Sequence, residues 1–165
     1  MKLPGTMTNK IELKSNDDGV LQLRILGVPF GGPVKSDNPE GRDLHYEYFN
    51  DETNFGDHTG VKEVALTLDH AQVKDAQGNV IMSPPDAFIG KATFTEQEEG
   101  VGRWYEAAVT AGEKYKSGLV DLYNQGLLYA SSQPIMTSVT KKDGHIKSWI
   151  VSELALTTHP ANVQA

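Results

Sequence analysis

The chain has 165 residues, enough for one domain that buries a core without covalent staples. It contains no cysteine, which excludes a disulfide framework, a thiolate metal site and a cysteine nucleophile. A net charge of -7 with scattered Lys and Arg argues against a nucleic-acid partner, and no apolar run reaches the ~20 residues that span a bilayer. The expectation is a soluble, cytoplasmic protein with no membrane contact.

Residues 1–9 read as a loose arm. Ile11 and Leu13 begin a strand that turns at Asn16-Asp17-Asp18-Gly19 into a second, where Leu21, Leu23 and Ile25 alternate with Gln22 and Arg24. This pattern predicts a hairpin with one buried face. Residues 29–41 form a Gly- and Pro-rich loop, and Leu44, Tyr46 and Tyr48 alternate in a further strand over 42–49. Asp51, Asp57 and His58 match no cation-loop spacing and read as a solvated turn. Val64, Leu66 and Leu68 form one face of the next strand, and His70 is expected to end that same face. A loop over 72–85 holds a short strand at 80–82. Two runs at 89–97 and 103–109 then predict another hairpin.

Tyr115, Leu119, Leu122 and Gly126 recur at helical spacing, and Thr110-Ala111-Gly112-Glu113 offers that helix a capping-box start. Gly126 suits the left-handed turn that closes a helix. Residues 127–130 read as a short buried strand ending in two adjacent hydroxyls, Ser131 and Ser132. Runs at 135–140 and 146–151 flank a Lys141-Lys142-Asp143-Gly144 turn. In the last strand Glu153 sits between Val151 and Ala155 on an apolar face. A carboxylate there needs a partner or an open edge, because burying an unpaired charge is costly. Six or more strands with one clear helix predict a β-rich, mostly antiparallel α+β domain.

The chain has no G-x-S-x-G elbow, no H-E-x-x-H, no Walker loop and no G-x-G-x-x-G ahead of a helix. What remains is His70, the serine pair and Glu153, the ingredients of serine nucleophile catalysis. Such sets are recognised by geometry, not by sequence order. Each member also has an ordinary reading: a satisfied core histidine, serines bonded to nearby backbone, an acid on an edge strand. On a strand Ser131 and Ser132 point to opposite faces, so one of them at most can meet His70.

Four blocks stand in order along most of the chain. The first is Arg42-Asp43-Leu44 with Glu47-Tyr48-Phe49 and Thr53-Asn54-Phe55-Gly56, and the second is Leu68-Asp69-His70 with Ile89-Gly90-Lys91. The third is Gly126-Leu127-Leu128-Tyr129-Ala130-Ser131-Ser132. The fourth runs from Trp149-Ile150-Val151-Ser152-Glu153 to Pro160-Ala161-Asn162. Together they resemble the prohead maturation proteases of tailed bacteriophages, relatives of the herpesvirus assemblins.

The resemblance implies a serine endopeptidase built as a compact, mostly antiparallel β-barrel with flanking helices. Residues 20–165 would form the protease domain, and 1–19 an arm and first strand. His70 matches the family's catalytic histidine, the nucleophile is Ser131 or Ser132, and Glu153 occupies the acidic position. The assemblin branch uses a second histidine instead, which keeps His58 and His159 open. Gln133 stands where the family has Gly after the nucleophile, and Ala155 where it has a serine. Those departures also fit an inactive relative that serves as a scaffold or assembly factor. The implied substrates are scaffold and major capsid protein, and the protease itself, inside a procapsid in the host cell cytoplasm. No cofactor or metal is implied, and a homodimer is implied by the assemblins alone. A histidine acting as base must be neutral, so activity is expected to rise through about pH 6.5, where a free imidazole loses its proton.

Overall fold

The computed structural model describes residues 10–17, 19–32, 47–57, 60–71, 73–74, 76–77, 79–82 and 88–158. The expected arm over 1–9, most of the strand over 42–49, and residues 159–165, His159 among them, lie outside the described residues. Period-two alternation at the start of the chain folds as a hairpin of β1 (Ile11–Asp17) and β2 (Val20–Pro29), with Leu13 opposite Leu23. Leu21, Leu23 and Ile25 are buried, as their spacing predicts. Beyond Ile25 the alternation stops mattering: Leu26, Val28 and Phe30 are buried too, so this half of β2 is covered on both faces.

Further strands are β3 (Glu63–Leu68), β4 (Val73–Lys74), β5 (Val80–Met82), β6 (Phe88–Glu98) and β7 (Gly102–Val109). After the helix come β8 (Tyr129–Pro134), β9 (Thr140–Lys142), β10 (His145–Ser148) and β11 (Val151–Thr157). Seven of them form one sheet in the order β1-β2-β7-β6-β3-β11-β8, while β4–β5 and β9–β10 are separate two-stranded ribbons. Every neighbouring pair in the large sheet is antiparallel except β3 and β11, which run parallel.

The sheet curls into a half-barrel. At Gly27 a Cβ would stand 2.9 Å from Leu154 Cδ2 and 3.0 Å from Tyr105 Cδ2, so β2 crosses tightly against β11 at the far side of the sheet. Leu23, Ile25, Leu66, Ala107, Leu154 and Leu156 share the main core. Among the described residues no ladder joins β1 to β8, so the expected barrel is an open, curled sheet with those two strands as its edges. The Ile89-Gly90-Lys91 motif has a packing reason: a Cβ on Gly90 would meet Ala108 O at 1.9 Å.

One α-helix lies among the described residues, α1 (Glu113–Asn124), and it buries Leu119 against the core. Thr110 does not cap it. The N–H groups of Thr110 and Ala111 both donate to Ile89 O, which holds them to β6, and the helix starts later with Gly112 as an N-cap that has no side-chain bond. Its other end follows expectation: Leu127 N–H reaches Leu122 O, Gly126 N–H reaches Tyr123 O, and Gly126 has φ 71°. Lys116 joins Leu119 on the buried face. Its Nζ donates to Gly19 O at 2.7 Å and pairs with Glu113 at 3.2 Å.

A second core gathers Val28, Phe30, Phe49, Phe55 and Ile146, with Trp149 packed against it. Beside it Asp57 grips Arg103 through both oxygens, at 2.6 and 3.1 Å, and the guanidinium lies over the rings of Phe55 and Phe94. Asp57 is therefore the solvent-exposed partner of a buried arginine, on a turn that is itself solvated. His58 lies outside the described residues, and among those described no group of three His, Cys, Asp or Glu could hold a metal. The last hairpin is shorter than expected. Met136–Ser138 forms a 3₁₀ turn, and Lys141 and Lys142 belong to β9. The reversal itself needs Asp143 and Gly144 alone, both left-handed at φ 54° and 82°. Among the described residues no helix is long and apolar enough to cross a membrane.

Candidate functional site

Three neighbouring strands, β3, β11 and β8, build the site. Parallel pairing sets Ala65 beside Glu153, Thr67 beside Ala155 and Leu68 beside Leu156. Antiparallel pairing on the other side sets Ser131 beside Ala155 and Gln133 beside Glu153. Directly paired residues share a sheet face, so Ala65, Thr67, Glu153, Ala155, Ser131 and Gln133 all lie on one face. Leu66, Leu154, Leu156 and Ala130 take the other, which is the main core. Glu153 is thus on an interior strand, and the edge-strand reading of its polarity fails.

His70 reaches this face by leaving its strand. The expectation that it ends the face of Val64, Leu66 and Leu68 is not met, because β3 stops at Leu68. Since β3 and β11 run parallel, a chain continuing straight past Leu68 would carry His70 away from Glu153. Instead Asp69 and His70 adopt left-handed conformations, φ 47° and 57°, and the turn folds over β11. Successive left-handed residues that are not glycine are uncommon and carry a backbone cost.

The result is a bridge. His70 Nδ1 lies 2.6 Å from Glu153 Oε1, and His70 Nε2 lies 3.0 Å from Ser131 Oγ. An ionised carboxylate only accepts, so Nδ1 carries the proton and donates to Glu153. That tautomer leaves Nε2 as an acceptor for the Ser131 hydroxyl. Glu153 has the partner its sequence setting demanded. The site is sheltered but open: the His70 side chain is 28% exposed and that of Glu153 13%. Among the described residues Thr67 Oγ1, on the same face, is buried without a hydrogen-bond partner.

Ser132 is not brought to this bridge. It pairs with Leu154 on the opposite face, and its Oγ accepts a hydrogen bond from Trp149 Nε1 at 3.2 Å. The sequence places the serines at the end of a strand over 127–130. In fact Leu127 is exposed, the strand begins at Tyr129, and both serines lie within it. Of the residues singled out, His70, Ser131 and Glu153 come together; His58 and His159 are outside the described residues. Gln133 also reaches the site face. Alternation from Ser131 puts Gln133 on that face because β8 runs on to Pro134, beyond the 127–130 run expected from sequence.

Compared with protein-family models, with curated proteins and with solved structures, the chain finds no match.

Proposed function

We propose that this chain is a serine endopeptidase, with Ser131 as nucleophile, His70 as general base and Glu153 as the residue that orients His70. One observation carries the reading: a single imidazole bridges a carboxylate at 2.6 Å and a serine hydroxyl at 3.0 Å. In such a reaction Ser131 Oγ attacks the scissile carbonyl while its proton passes to His70 Nε2. Collapse of the tetrahedral adduct breaks the C–N bond, and His70 returns the proton to the leaving amine. Water then enters by the same route and releases the acyl group. Glu153 stabilises the transient imidazolium and holds the tautomer that leaves Nε2 free.

The narrower reading, a prohead maturation protease with an assemblin-like fold, is supported by the four sequence blocks. A β-rich curled sheet with a helix against it is compatible with that reading. On that reading the substrates are scaffold and major capsid protein, processed inside a procapsid in the host cytoplasm by a protease able to dimerise.

The test is co-expression with a capsid or scaffold protein, comparing wild type with Ser131→Ala, Ser132→Ala and His70→Ala. Cleavage should survive Ser132→Ala and vanish in the other two while all four remain folded. Equal cleavage by all four would rule out the proposed residues. If none cleaves, and a fluorophosphonate adds no mass to Ser131 in the wild type, the chain is better read as an inactive relative acting as a scaffold or assembly factor.

A further inference from the structure

We infer that Gln133 is a specificity-determining residue, whose carboxamide reads an uncharged hydrogen-bonding side chain of the substrate two residues from the scissile bond. The inference rests on the protease reading and deepens it. Gln133 lies opposite Glu153 and Ser131 opposite Ala155, so the two β8 side chains share the site face. Two residues of strand separate them by roughly 6.6 Å. An extended peptide has the same repeat. When its scissile carbonyl lies at Ser131 Oγ, the residue two positions along therefore presents its side chain at the level of Gln133.

The position is built for contact with a ligand chain. β8 is an edge of the sheet, and Gln133 is exposed. Among the described residues its carboxamide has no hydrogen-bond partner, whereas its backbone is anchored: Ser152 Oγ donates to Gln133 O at 3.0 Å. Ser152 occupies the irregularity in the β11–β8 register between Val151 and Glu153, and bulges of this kind commonly re-aim neighbouring side chains. A carboxamide offers one acceptor and two donors. It therefore matches the complementary pair on Asn or Gln, or the hydroxyl of Ser or Thr. With Glu153 beside it and a chain of net charge -7, an acidic substrate side chain is disfavoured there.

The experiment is a digest of a defined peptide library by wild type, Gln133→Leu and Gln133→Glu, with cleavage sites read by mass spectrometry. A separate aliquot of each enzyme is titrated with a fluorophosphonate, so that rates refer to the concentration of reactive Ser131. Wild type should favour Asn, Gln, Ser or Thr over Ala at one position two residues from the cut, by about tenfold in kcat/KM, the worth of one good hydrogen bond. Gln133→Leu should lose that preference, and Gln133→Glu should move it toward Lys and Arg. An identical profile in all three unlabelled enzymes, each shown by its titrated aliquot to have a reactive Ser131, would overturn the assignment of Gln133 and leave the protease reading standing. No label and no cleavage in the wild type would overturn both.

Discussion

Replacing Glu153 by Gln isolates the charge from the shape. The side chains are nearly isosteric, but the amide is neutral and its NH₂ end favours the wrong imidazole tautomer. The His70–Glu153 contact is 2.6 Å between heavy atoms, with the charge centres further apart. Taking them as about 4 Å apart in an effective dielectric near 20, the imidazolium formed during attack is stabilised by about 4 kcal/mol. Partial exposure of both side chains, 28% and 13%, reduces that through solvent screening. A loss of about 3–4 kcal/mol corresponds to a slowing of about 10² to 10³, since each 1.36 kcal/mol is tenfold. The wrong tautomer pushes the loss toward the ~10⁴ known for the equivalent change in serine protease triads. The assay is the second-order rate of Ser131 phosphonylation by a fluorophosphonate, followed by intact mass, which needs no knowledge of the natural substrate. Glu153→Gln should react about 10³ more slowly, and Glu153→Asp should recover part of the rate. Urea unfolding run in parallel guards against a folding defect. A folded Glu153→Gln protein that reacts within threefold of wild type would refute the reasoning.

Three further outcomes concern the scaffold. Lys116→Met removes a buried ammonium that donates to Gly19 O at 2.7 Å and tethers α1 to the β1–β2 turn, so urea denaturation should show a loss of about 1.5–3 kcal/mol. Gly90→Ala sets a methyl 1.9 Å from Ala108 O in a rigid ladder. A loss of about 3 kcal/mol or more is expected, seen as a lowered Tm or absence of soluble protein, with wild-type-like unfolding as the contrary result. His145 is buried against Tyr48, with Nε2 2.7 Å from Asn50 Oδ1, and burial followed by the nearby Lys147 charge pulls its pKa below the ordinary 6.5. The unfolded chain then takes up this proton first. The contribution is fully present above pH 6.5 and is lost as pH falls toward the folded-state value. Wild type should weaken across that window and His145→Gln should show a shallower slope, read as urea midpoints against pH.

Local chemistry made much of the architecture legible. The β1–β2 and β6–β7 hairpins follow from period-two alternation and glycine-containing turns. The end of α1 follows from Gly126, because a left-handed closing residue is a local demand. The start of α1 departs from Thr110 for a nonlocal reason: Ile89 O already takes the Thr110 N–H that Glu113 would accept in a capping box, and the Ala111 N–H beside it. The apolar run over 127–130 does not reveal where pairing begins, and pairing to β11 starts at Tyr129.

At the site the division is sharper. Residue types and strand periodicity alone singled out His70, Glu153 and two serines, and required that the serines face opposite ways. They also required a partner for a carboxylate among Val151, Leu154 and Ala155. Which serine, and which partner, depended on register and on one reversal of the chain. A one-residue slip of β8 against β11 would exchange Ser131 for Ser132 on the site face. A straight continuation of β3 would have carried His70 past Glu153. Pairing between strands distant in sequence, together with two left-handed residues, decided both, because neither leaves a periodic trace in the residues themselves.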